Sequence, residues 1–181
     1  MLLVAGIIRS GLSLTMQMLC AGGYPCRGEP PAFEPYPAGD IPWDECQGHA
    51  VKLVDAHEQL PPTGTFDVIR LRRNLTEQAR SFNKFSCVIF GADTIPTSRL
   101  VGAFRRDYAV IDEWLRGQRS MVLDFETIIT NPITAAIAIQ DFVGDPLDIQ
   151  RMAACVLRRD PQCNSRLLEL DLIKAAREPG R

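Results

Sequence analysis

The residues best suited to chemistry begin six positions into the chain. Gly6 to Ser13 reads Gly-Ile-Ile-Arg-Ser-Gly-Leu-Ser, the spacing of a phosphate-binding loop, with Leu12 where nucleoside triphosphatases carry lysine. Glycines let backbone N–H groups turn inward, and a following helix adds the positive end of its dipole, so an anion is favoured there. Arg9 supplies a cation within the loop, and Ser10 and Ser13 supply hydroxyls. Without the lysine, the grip on β- and γ-phosphates is missing and ATP or GTP hydrolysis is disfavoured. A second group of cations, Arg70, Arg72 and Arg73, ends an apolar run, with Ser81 eight residues after Arg73. Arginine offers phosphate a permanently charged, bidentate contact. The same residues also fit a plain tight turn and a solvated strand end.

His57 follows another apolar run, and imidazole titrates near neutrality, as a proton acceptor requires. His49 precedes that run and sits at its opposite end. Lys52 lies within it, as a cofactor contact or a solvent-facing charge. Asp55 and Asp124 are strand-end carboxylates of the kind a metal-dependent kinase would need. The six cysteines form no C-x-x-C pair and have no histidine cluster at zinc spacing, which predicts reduced thiols and no metal.

These groups need elements to hold them. Leu2 to Ala5 reads as a strand, and Leu12 to Ala21 as a helix closed by Gly22 and Gly23. Residues 24–48 carry six prolines and three glycines and read as an irregular excursion. Strands are expected over 50–54, 66–71 and 121–125, and a helix over 75–85. Phe104, Tyr108, Ile111 and Leu115 mark the core stripe of another helix, with Thr97 or Ser98 as its cap. Asn131 caps a helix carrying Pro132 in its first turn, and residues 147–177 read as a C-terminal segment that is mostly helical and split near Asp160-Pro161. Strands alternating with helices imply one α/β domain over residues 1–181. A mainly parallel sheet is covered on both faces as a three-layer sandwich, with ligands beyond the C-terminal strand ends.

Bulk properties narrow the function. In 181 residues, 46% are apolar, 23% are charged and the formal net charge is −2, so nothing draws the chain to nucleic acid in bulk and any anion site must be built locally. No stretch approaches the roughly 20 apolar residues of a membrane span. The opening apolar run is too short for a signal peptide and lacks a basic flank, so a cytoplasmic location is expected.

The run Ile8-Arg9-Ser10-Gly11-Leu12-Ser13 resembles the 5′-phosphosulfate loop of sulfotransferases that use 3′-phosphoadenosine 5′-phosphosulfate (PAPS). That loop reads Pro-Lys/Arg-Ser-Gly-Thr-Ser/Thr; here Ile8 replaces the proline and Leu12 the threonine. Met16-Gln17-Met18-Leu19, running on to Gly22-Gly23, looks like the bacterial members. Arg73 and Ser81 stand at the separation with which the family holds the 3′-phosphate. Val122 to Pro132 and Phe142-Val143-Gly144 are similar to its late strand and helix, and Leu157-Arg158-Arg159 to its C-terminal basic segment. The likeness spans about residues 3–144.

The resemblance implies a P-loop-like sulfotransferase fold and the cofactor PAPS, with 3′-phosphoadenosine 5′-phosphate (PAP) as product and no metal. Arg9, Ser10, Gly11, Leu12 and Ser13 would hold the 5′ end, and Arg73 and Ser81 the 3′-phosphate. Arg9 would also stabilise charge on the transferred group. His57, shortly before Leu60-Pro61, matches a family segment whose histidine is the base. Some bacterial relatives use a glutamate after the first helix instead, which makes Glu29 and Glu34 alternatives. The acceptor would be a small molecule or glycan, met by Tyr24, Phe33, Tyr36, Trp43 or Phe90 in the loops 24–48 and 83–99. Two other readings stand beside this one: a PAPS- or PAP-binding module without catalysis, and a small P-loop nucleotide kinase.

Overall fold

A computed structural model describes residues 1–34, 41–61 and 63–163. Four strands, β1 (Leu2–Gly6), β2 (Ala50–Val54), β3 (Asp67–Arg72) and β4 (Arg119–Asp124), form a wholly parallel sheet in the order β2-β1-β3-β4. Leu2 lies beside Ala50 on one side and Asp67 on the other, so β1 is central and its residues are buried throughout.

Alternation along β1 builds two cores, because successive side chains of a strand point to opposite faces. Leu2 and Val4 join Met16 and Leu19 of α1 (Leu12–Ala21), Ile128 of α4 (Phe125–Thr130), Ala136 of α5 (Pro132–Val143) and Met152 of α6 (Ile149–Ala154). Leu3 and Ala5 face the other way, towards Ala79 of α2 (Leu75–Phe90) and Leu100, Phe104, Tyr108 and Ile111 of α3 (Thr97–Trp114). The result is an α/β sandwich with helices on both faces of the sheet. Among the described residues, no helix is long and apolar enough to cross a membrane.

Several boundaries differ from those read in the sequence. The second helix runs on to Phe90, where Gly91 at φ 63° ends it; its first N–H groups, those of Thr76 and Glu77, donate to the Asn74 side chain. Thr97 and Ser98 lie inside α3 and do not cap it, since Pro96 holds that position. Asn131 takes the N-cap place of α5, but its side chain makes no capping hydrogen bond among the described residues. The short helix α4 was not anticipated: the chain turns straight from β4 at Asp124 into Phe125–Thr130.

The expected C-terminal helix over 147–177 is helical only at Ile149–Ala154 within the described residues. The chain then crosses the sandwich: the Arg159 N–H donates to the Ile129 carbonyl, and the Cys163 N–H to Glu77 Oε2 at 2.6 Å. Residues 164–177 of that expectation lie outside the described residues.

Candidate functional site

The turn after β1 is held in a shape that its sequence alone does not favour. Arg9 sits at φ 67°, in the left-handed region that side chains rarely adopt, and Gly11 at φ 108°. A Cβ on Gly11 would come within 2.7 Å of the Phe125 ring, and one on Gly6 within 2.7 Å of Ser10 Oγ. Both positions therefore need glycine for room, and Gly11 needs it for backbone angle as well. Helix α1 begins at Leu12 with no side-chain cap among the described residues, so its first-turn N–H groups have no helical acceptor.

Neighbouring strand ends fix the loop. Asp55, itself at φ 50° just past β2, accepts the Ile8 N–H at 2.9 Å. Burial raises the Asp55 carboxyl above its ordinary range, and the Ile8 bond partly offsets that. From α2, Gln78 donates to the Ile8 carbonyl at 2.9 Å and accepts the Tyr108 hydroxyl at 3.3 Å. Burial raises the Tyr108 hydroxyl, with the Gln78 bond opposing. The Ser10 hydroxyl is buried beneath this turn near Tyr108 and makes no hydrogen bond of ordinary geometry among the described residues.

Two sequence motifs meet here. Arg73, 5% exposed, donates to the main-chain carbonyl of Arg9 at 2.9 Å and lies 4.2 Å over the Phe125 ring. Arg9 Nε donates to Ser81 Oγ at 3.1 Å, and its guanidinium lies 5.1 Å over Phe85. Arg159 approaches the same Phe125 ring, at 5.5 Å. Three arginines thus converge at the carboxyl ends of the strands, on a protein whose net charge is −2. The neighbouring arginines do other work: Arg70 is buried against Asp112 and stacks on Tyr108, while Arg72 pairs with Asp124 through two bonds of 2.5 and 2.9 Å.

Lys52 is not solvent-facing: its side chain is 1% exposed. Its ammonium bonds Ser13 Oγ at 3.3 Å, Glu34 Oε1 at 2.6 Å and the Ala32 carbonyl. Burial lowers its pKa, and the Glu34 bond resists that. Ser13 also donates to the Ala32 carbonyl at 3.2 Å, so the start of α1 and the segment ending at Glu34 are stitched together.

Among the three candidate bases, Glu34 is the one joined to the loop, through Lys52 and Ser13. His57 faces Glu58 at 3.6 Å and Asp107 at 3.9 Å, towards α3. Glu29 is exposed, and its carbonyl accepts the Phe33 N–H. Among the described residues, no group of three His, Cys, Asp or Glu side chains is arranged to hold a metal.

Sequence reasoning missed Gln78, Asp55 as a loop acceptor, and Phe125 as the platform beneath Gly11. Gln78 had a usable signal, since it precedes Ser81 by one helical turn and so shares its face. The class of protein so defined is an α/β sandwich with a four-stranded parallel sheet and a cationic loop at its strand ends. No family model, curated protein or solved structure matches the chain.

Proposed function

We propose that this protein is a PAPS-dependent sulfotransferase of P-loop-like fold, moving a sulfuryl group to a hydroxyl or amine of a small molecule or glycan in the cytoplasm. The observation that carries the reading is the meeting of Arg9 with Arg73 and Ser81, separated by 64 and 72 residues in sequence. One ligand with an anion at both its 5′ and 3′ ends suits such an arrangement. In this reading Arg73 and Ser81 take the 3′-phosphate, and the loop from Arg9 to Ser13 takes the 5′ end. Leu12 in place of lysine, and Asp124 neutralised by Arg72, both favour this ligand over ATP with magnesium.

When bound, PAPS supplies an activated sulfuryl group, whose S–O bond to the 5′-phosphate breaks as the acceptor O–S or N–S bond forms; the electron pair leaves with PAP. The chain's residues position and stabilise. Arg9 and the first-turn N–H groups of α1 face the developing negative charge, as in related phosphoryl transfer. Glu34 takes the acceptor proton, and Lys52 holds that carboxylate beside Ser13.

The test is thermal stabilisation by PAP, by 5′-AMP and by ATP with magnesium, followed by incubation with PAPS and measurement of the PAP formed. PAP should raise the melting temperature most, because a ligand that binds only the folded state stabilises it by mass action. Equal or greater stabilisation by ATP with magnesium would replace this reading with the kinase. Binding of PAP with no release of PAP from PAPS across an acceptor panel would leave a binding module.

A further inference from the structure

The segments 24–48 and 83–99 contain six aromatic residues, and the fold sorts them; residues 83–90 belong to α2 and not to a loop. Phe33 is buried in the core at 2% exposure. Trp43 packs on Phe66, which precedes β3 and is followed outward by Trp114, so it belongs to the amino ends of the strands. Tyr24 is half-buried and feels Asp67, the first residue of β3, at that same far end. Tyr36 lies outside the described residues. Phe90 is different: it is 71% exposed and ends α2.

Phe90 meets Phe85 edge to face, with ring centroids 5.7 Å apart at 82°, and Phe85 carries the Arg9 guanidinium on its ring. A continuous stack therefore leads from solvent to the loop. Its backbone is fixed. The Gly91 N–H donates to Cys87 and the Ala92 N–H to Ser86, and the Asn83 side-chain amide donates to the Ile95 carbonyl at 2.7 Å and accepts its N–H at 3.0 Å. The flanking Val88 and Ile95 are exposed and apolar. Asn83 thereby spends one amide N–H and one oxygen lone pair on Ile95.

We propose that Phe90 and Phe85 form the acceptor platform, and that the acceptor is a flat aromatic alcohol, a phenol, with its ring on Phe90 and its hydroxyl directed to Arg9. This rests on the sulfotransferase reading above. The phenol oxygen gains the bond to sulfur, the bond from sulfur to the 5′-phosphate oxygen breaks with its electrons leaving on PAP, and the phenol proton passes to Glu34.

The probes are 1-naphthol and methyl glucoside. Direct binding of 1-naphthol, followed by ligand-observed NMR without nucleotide, should be clear in the wild type and at least about tenfold weaker in Phe90→Ser, the loss of one aromatic platform. Phe85→Leu should weaken it similarly, while the thermal shift caused by PAP keeps its wild-type size in Phe90→Ser. With PAPS present, 1-naphthol should be sulfated in preference to methyl glucoside. Naphthol binding that is absent, or equal in wild type and Phe90→Ser, overturns the proposal, as does preferred sulfation of the glucoside. Loss of the PAP response in Phe90→Ser would assign the pair to the nucleotide and also overturn it. If the wild type binds naphthol but not PAP, the sulfotransferase reading fails and the aromatic platform stands.

Discussion

Arg73 donates a guanidinium N–H to the main-chain carbonyl of Arg9 at 2.9 Å, joining the end of β3 to the loop after β1. The contact gives Arg73 two roles, as loop support and as the proposed reader of a 3′-phosphate. Arg73→Ala should therefore weaken PAP binding by roughly 10- to 100-fold, the scale of charged hydrogen bonds, and 5′-AMP binding far less. Isothermal titration with both ligands measures this. Equal losses for the two would leave Arg73 only its supporting role.

Gly11→Ala should disable the loop from the backbone. It places a Cβ against Phe125 at an angle of φ 108°, and the strain alone is of order 1–3 kcal/mol. Urea unfolding should show that loss, with PAP binding reduced beside it. Adding Phe125→Ala removes the clash but not the strained angle, so only part of the stability should return. Full recovery would show that the angle is unimportant.

Asp55 sets a pH dependence of stability. Burial raises its folded-state pKa above the ordinary 3.8, so the folded protein holds this proton to higher pH than the unfolded chain does. The contribution is full below 3.8 and is lost as pH rises through the folded value. Asp55→Asn keeps an acceptor for the Ile8 N–H and a residue tolerant of the left-handed angle, and it carries no charge. The stability advantage of the variant should grow as pH rises across that window in urea titrations. An advantage that shrinks with pH would reverse the sign.

The base assignment separates Glu34 from His57. Glu34→Gln should lower PAPS-dependent turnover roughly 10²- to 10⁴-fold with PAP affinity little changed, the range for losing general-base catalysis. His57→Ala and Glu29→Ala should stay near wild type. A collapse in His57→Ala with Glu34→Gln active would move the base to the end of β2.

Much of the frame was readable in residue order. The apolar run of β1, the Gly6-x4-Gly11 spacing and the amphipathic stripe of α3 are local patterns with local causes, namely strand alternation, glycine's backbone freedom and helical period. Where reading failed, a local signal met a tertiary competitor. Thr97 and Ser98 are good caps by type, yet Pro96 holds the cap position. Residues after Cys155 have helical composition, yet through residue 163 they leave the helix and run across α4 and α2, where Ile129 and Glu77 accept their N–H groups.

The site divides along the same line. Residue order alone determined that Arg9 lies in a glycine-bracketed turn before a helix, and that Arg73 stands at a strand end eight residues before Ser81 on the helix that follows. Only the tertiary structure decided that these two groups touch, that Lys52 is buried on Ser13 and Glu34, and that Phe90 is exposed while Phe33 is core. The reason is range: loop shape and helix phase depend on neighbours a few residues away. Meetings across 64 or 72 residues depend on strand order and on which face each helix covers, and those are fixed by packing of the whole sandwich.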